Sequence, residues 1–129
     1  SARAAENISP TIREVTMSQI TTHVLDTTRG LPAPDLPITL FAQTSNGWHK
    51  LASGITNTDG RIAGLLADDV ALTAGIYRMH FATKTYFAAN NEQGFYPYVD
   101  IVFELDGSGK HYHIPLLLTA FGYSTYRGS

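Results

Sequence analysis

At 129 residues the chain is long enough for one domain with a real core and too short for two. Nine Lys plus Arg against eleven Asp plus Glu leave no basic excess of the kind a nucleic-acid surface needs, and no apolar run approaches the roughly 18 residues of a membrane span. The absence of cysteine removes disulfides, thiolate chemistry and any cysteine-based metal site, and leaves the redox compartment open.

Residues 1–17 mix Ala, Arg, Glu, Asn and Pro without sustained periodicity and read as a flexible N-terminal extension ahead of a domain over residues 18–129. Ala2-Arg3-Ala4 has the small-residue pattern of a cleavage site, but no apolar run precedes it. Met17-Ser18-Gln19 reads equally as a start, and both readings stay open. From Gln19 onward, short apolar stretches alternate with turn residues. Residues 20–25 are β-branched and predict a strand, broken by Arg29-Gly30-Leu31-Pro32 with Pro34 and Pro37. Residues 38–42 predict a second strand. Ser45-Asn46-Gly47 signals a hairpin turn into a third over residues 48–56. Asn57-Thr-Asp-Gly60 turns the chain again into a short edge strand at residues 61–63. Residues 75–82 alternate with period two, setting Ile76, Arg78 and His80 against Tyr77, Met79 and Phe81.

Residues 83–91 are the helix candidate, with Thr83 as its N-cap and Asn90-Asn91 as its end. Residues 98–105 predict another strand, Asp106-Gly-Ser-Gly109 a turn, and residues 111–118 and 123–127 the last two strands. About eight strands at this spacing predict an all-β, two-sheet sandwich decorated by one short helix.

Three sets of residues could carry chemistry. His111-Tyr112-His113 puts two imidazoles on one strand face, a spacing that suits a metal pair, but no third ligand is evident. His113 adjoins the apolar residues 114–118, at the entrance to buried structure, where its pKa is tunable. His23 interrupts a β-branched strand, and Arg61 follows Asp59-Gly60; taken alone, the first reads as a structural or exposed residue and the second as a solvated turn residue. The chain has no Ser-His-Asp motif context, no Gly-rich phosphate loop and no paired carboxylates on a strand face. Asp68-Asp69 reads as loop charge.

The segment from His111 to the closing Tyr126-Arg127-Gly128-Ser129 is dense in aromatic, β-branched and cationic residues, which marks it as built into the fold or a site and not as a frayed end. This segment resembles the signature of the 5-hydroxyisourate hydrolases, the purine-catabolic relatives of transthyretin. The resemblance runs from about residue 18 to the end. Residues 21–33, Thr-Thr-His-Val-Leu-Asp-Thr-Thr-Arg-Gly-Leu-Pro-Ala, are similar to the family's first-strand motif. Asn57-Thr-Asp-Gly-Arg61 matches its central motif, and Phe95-Tyr-Pro-Tyr98 its aromatic-proline segment. Ala120 departs from the proline that relatives commonly carry in the turn, which bears on rigidity more than on chemistry.

The resemblance implies a transthyretin-like sandwich assembled as a homotetramer, a dimer of dimers. It also implies hydrolytic opening of the six-membered ring of 5-hydroxyisourate, with no metal or organic cofactor. Residue by residue it places the functional trio on His23, Arg61 and His113, with Tyr126, Arg127, Gly128 and Ser129 completing a substrate site. In that site His113 is assigned as general base and His23 as the group that orients water or stabilises charge, with the exchanged assignment left open. Arg61 anchors substrate and stabilises the oxyanion. Ser129, with no neighbouring base to mark it as a nucleophile, hydrogen-bonds substrate or a histidine. The alternative is a transthyretin-type hormone carrier. Transthyretins hold Lys, Glu, Thr and Thr at the positions matching His23, Arg61, His113 and Tyr126, and this chain keeps the hydrolase-like residue at all four.

Overall fold

The structure, a computed structural model, describes residues 18–128. The expected extension over residues 1–17 and the terminal Ser129 lie outside the described residues. Period-two patterning builds the larger sheet. Strands β4 (Pro37–Thr44), β5 (Gly47–Ile55), β6 (Gly75–Phe81) and β7 (Val99–Leu105) run antiparallel in the order β5-β4-β6-β7. The β4–β5 hairpin turns at Ser45-Asn46, and Gly47, which opens β5, has φ 109°, a backbone conformation open to a residue without Cβ. Tyr77, Met79 and Phe81 are buried as the alternation predicts, while Arg78 and His80 lie on the opposite face and meet Asp100 of β7.

The second layer holds β1 (Ile20–Thr21), β2 (Val24–Asp26), β3 (Leu31–Pro32), β8 (Tyr112–His113), β9 (Leu116–Leu118) and β10 (Tyr123–Thr125). Its four-stranded part has the order β10-β9-β2-β3, and β1-β8 forms a two-stranded extension. The two parts belong to one parallel ladder. Ile20 faces Tyr112, Thr21 faces His113 and Val24 faces Leu116 in a single unslipped register.

The expected continuous strands at residues 20–25 and 111–118 are therefore each interrupted, at Thr22-His23 and at Ile114-Pro115. Backbone bonds from Ile114 N–H to the Thr21 carbonyl (2.9 Å) and from Leu116 N–H to the His23 carbonyl (3.0 Å) cross the gap, where the Ile114 carbonyl accepts a 2.6 Å bond from the Thr22 hydroxyl. The expected edge strand at residues 61–63 reduces to one backbone bridge between Arg61 and His23. The expected strand at residues 123–127 stops at Thr125, with a further bridge between Gly128 and His113.

The core lies between the layers. Ile20, Val24, Leu116 and Leu118 of one meet Ile38, Leu40, Met79, Phe81 and Val99 of the other, all essentially inaccessible. Full burial of each such side chain contributes about 1.5–3 kcal/mol. Helix α1 (Thr83–Ala89) packs Thr83, Tyr86 and Phe87 inward at helical spacing and ends at Asn90, with Asn91 at φ 56°. Thr83 does not cap it: Ala82 occupies that position, and the Thr83 hydroxyl donates to the Tyr96 carbonyl at 2.9 Å. No helix among the described residues is long and apolar enough to cross a membrane.

Candidate functional site

Strand alternation decides which side chains reach the site. Thr22, Val24 and Asp26 turn inward, so Thr21 and His23 lie on the outer face of the β1–β2 segment. Tyr112 and Ile114 likewise turn inward and leave His111 and His113 outside. Because β1 and β8 pair in register, the outer-face residues Thr21 and His113 stand side by side. The Thr21 hydroxyl is 2.8 Å from His113 Nδ1 and 2.9 Å from His111 Nε2.

The Asn57-Thr-Asp-Gly-Arg61 turn brings Arg61 to the same face. Asn57 Oδ1 accepts from the backbone N–H of Asp59 at 2.9 Å and of Arg61 at 3.1 Å, and the Asn57 N–H donates to the Arg61 carbonyl at 2.7 Å. The turn docks on β2 through a 2.8 Å bond from Val24 N–H to the Gly60 carbonyl. Gly60 is required there. Its φ is 74°, and a Cβ would collide with the Val24 carbonyl. The turn thus holds the Arg61 backbone against His23 and leaves its guanidinium directed to solvent.

The result is a cleft of about 440 Å³ lined by Thr21, Thr22, Asn57, Arg61, Ile62, Ala63, His111 and His113. His23 adjoins it through its backbone bridge to Arg61. Both trio imidazoles have pKa values below the ordinary 6.5. For His113 the largest cause is desolvation, followed by the charge of Arg61 and then His111 and His23. For His23 it is again desolvation, then Arg61, with Asp59 opposing. A guanidinium beside two partly desolvated imidazoles favours their neutral, proton-accepting forms at neutral pH. His111 and His113 are bridged by a hydroxyl, and among the described residues no cluster of three or more His, Cys, Asp or Glu side chains could hold a metal ion.

The closing segment divides. Gly128 N–H donates to the His113 carbonyl at 2.8 Å, and the glycine sits close beside the imidazole: a Cβ at position 128 would come within 2.7 Å of His113 Cδ2. Tyr126 and Arg127 instead line a separate groove of about 260 Å³ with Ile101, Phe103, Glu104, Tyr112, Ile114 and Thr125. Arg127 stacks there 5.1 Å from the Tyr112 ring. Within one chain, then, His23, Arg61, His113 and Gly128 come together, while the side chains of Tyr126 and Arg127 face elsewhere. Thr21, Asn57 and His111 line the cleft although the sequence assigns none of them to the functional trio, and His111 enters there only as half of a metal-pair spacing. The available signal is positional: Thr21 stands two residues before His23, and His111 two before His113, hence on the same strand faces.

The chain as a whole has counterparts among known proteins. The HIUase/Transthyretin family model matches residues 20–128. A probable 5-hydroxyisourate hydrolase of Caenorhabditis elegans is 41% identical over 126 residues, covering 98% of this chain and 92% of that protein. The 5-hydroxyisourate hydrolase of Klebsiella pneumoniae superposes with a TM-score of 0.75 at 34% identity, over 87% of this chain and all of that one. Sea bream transthyretin in complex with thyroxine superposes at 0.80 and 30% identity, over 86% and 95%. This chain belongs to the HIUase/Transthyretin family.

Proposed function

We propose that this protein hydrolyses 5-hydroxyisourate, opening its six-membered ring to 2-oxo-4-hydroxy-4-carboxy-5-ureidoimidazoline in urate degradation. The observation that carries the reading is the cleft in which the Arg61 guanidinium adjoins two imidazoles held neutral, in a chain 41% identical to a protein named for this activity. The substrate is small, planar and oxygen-rich, and a guanidinium offers it a planar fork of donors that a lysine does not reproduce. His113 takes a proton from water as the oxygen attacks the ring carbonyl, Arg61 stabilises the resulting oxyanion, and the imidazolium returns its proton to the departing ring nitrogen. His23 orients the water or the developing charge, and residues 126–129 complete the substrate site.

The active form in this reading is a homotetramer, a dimer of dimers. Its support is the placement of the closing segment: Tyr126 is 59% exposed and faces away from its own chain's cleft, so a partner chain is needed for it to line a cleft of this kind. Generating 5-hydroxyisourate in situ from urate with a uricase, and following its ultraviolet decay, tests the activity. Decay no faster than the spontaneous rate would remove the enzymatic reading.

Carriage of a hydrophobic hormone is the second reading, favoured by the likeness to thyroxine-bound transthyretin. A long apolar ligand would desolvate Arg61 and the imidazoles without pairing them, at about 1–3 kcal/mol for each group left unsatisfied. Oxidised-purine analogues such as 8-azaxanthine should therefore bind more tightly than thyroxine in side-by-side calorimetric titrations. A clear preference for thyroxine would restore the carrier.

A further inference from the structure

A base that takes a proton on one imidazole nitrogen must carry a hydrogen on the other, and some neighbour has to hold it there. For His113 that neighbour is Thr21. Its hydroxyl lies 2.8 Å from His113 Nδ1 and 2.9 Å from His111 Nε2, so one oxygen bridges two rings. A hydroxyl has one proton to donate and lone pairs to accept. With both rings neutral, Thr21 donates to at most one of them: accepting from both leaves His113 with a hydrogen on Nδ1, and donating to one permits two arrangements. If His111 Nε2–H donates to Thr21 and Thr21 donates to His113 Nδ1, then Nε2 of His113 carries the hydrogen and cannot be a base. If His113 Nδ1–H donates to Thr21 and Thr21 donates to His111 Nε2, then Nε2 of His113 has its lone pair free. Among the described residues no hydrogen bond reaches Nε2 of His113, so the direction of this chain decides its state.

We propose that Thr21 is a positioning residue that, with His111 as the acceptor at the outer end, holds His113 in the Nδ1–H tautomer and thereby makes its Nε2 the general base. This rests on the assignment of His113 as that base. The fold supplies the geometry from two directions. The β1–β8 register sets Thr21 beside His113, reinforced by the 2.9 Å bond from Ile114 N–H to the Thr21 carbonyl. On the other edge of the ring, Gly128 packs against Cδ2, leaving no room for a side chain. The ring is thus held at Nδ1 by a hydrogen bond and at Cδ2 by contact. Water deprotonation puts the proton on Nε2, and the imidazolium keeps its Nδ1–H bond to Thr21 throughout; on protonation of the leaving nitrogen, Nε2 gives that proton back and the starting tautomer is restored.

The test is a set of variants read by nitrogen-15 NMR of the imidazoles and by steady-state kinetics on the full chain. In the parent protein above the His113 pKa, the His113 Nδ1 signal should be that of a protonated nitrogen. Thr21→Val, close in shape, removes the hydroxyl and should return His113 to the Nε2–H form that free imidazole favours. It should also lower kcat, by about 10–100-fold on the scale of losing the hydrogen-bond partner that orients a metal-ligating imidazole, with KM little changed. Thr21→Ser should restore both readouts, which separates the hydroxyl from any packing effect of the strand. His111→Phe should also weaken the Nδ1–H preference. A His113 that keeps Nδ1–H in Thr21→Val, or a Thr21→Val enzyme with the parent kcat, would overturn the proposal. His113→Asn reports separately on the assignment beneath it. Full activity in that variant would sink the base role whatever the tautomer spectra show.

Discussion

At the scale of single residues the cleft is governed by one guanidinium and the imidazoles around it. His113→Asn and Arg61→Glu should each remove most turnover, by about 10²–10⁴-fold for the base, while the fold persists, because both side chains reach the outer face and leave the core untouched. Uricase-coupled kinetics beside circular dichroism check this. Near-normal kcat/KM in either variant would dismiss its assigned role. The lowered pKa values carry a second expectation. His113, faced by Arg61, His111 and His23, stays neutral below the ordinary 6.5, so the acidic limb of kcat/KM should have its midpoint below that value. The same shift affects folding. The unfolded chain binds protons at His23 and His113 more readily than the folded one, so stability is highest above 6.5 and is lost as pH falls through the lowered folded values. A midpoint at or above 6.5 for activity would contradict the cause assigned here.

At the scale of elements, the helix and β2 are tied by a buried polar lock. The Tyr86 hydroxyl on α1 donates to Asp26 Oδ2 on β2 at 2.7 Å, and Arg29 N–H donates to the other oxygen at 3.2 Å. Both Tyr86 and Asp26 are only 1% exposed. Burial and the adjacent carboxyl push the Tyr86 phenol up to about 12, which keeps it a hydrogen-bond donor. Tyr86→Phe should destabilise the protein by about 1–3 kcal/mol by stranding a buried oxygen, with kcat unaffected because the lock faces the core. Urea unfolding measures this, and an unchanged midpoint would refute it. The boundaries of this helix also show how far local pattern reaches. Asn90 and Asn91 end it as their side chains and backbone preferences dictate, whereas Thr83 is drawn from a capping role into a bond with Tyr96 across the fold.

At the scale of the whole molecule, the residues proposed for the site are split between surfaces. Gly128 touches His113 within the chain, but Tyr126 and Arg127 face a groove at another edge of the sandwich. If partner chains bring these residues to one another's clefts, two-fold contacts repeat the same groups and sites occur in symmetric pairs. Deleting residues 126–129 should then abolish turnover, and light scattering should find the active species as a tetramer. A dilution-stable monomer with full activity would be incompatible with a site shared between chains.

Strand periodicity, turn residues and the Tyr77/Met79/Phe81 face are local properties, and the sequence alone determined them: a period-two apolar pattern has one face to bury, so a two-sheet sandwich with one helix follows from it. The order of motifs around His23, Arg61 and His113 was equally legible, since residue types and short spacings survive without coordinates. The break of the first strand at Thr22-His23 was not, because it goes with a Thr22 hydroxyl bond to the Ile114 carbonyl of a strand far along the chain. Nor was the reduction of residues 61–63 to one bridge, which depends on where the Asn57 turn docks on β2. Above all, only the tertiary structure placed the Thr21 hydroxyl between His111 and His113. Parallel pairing joins residues about ninety positions apart, and no local preference encodes that register; it is set when both inner faces are buried against the opposite sheet.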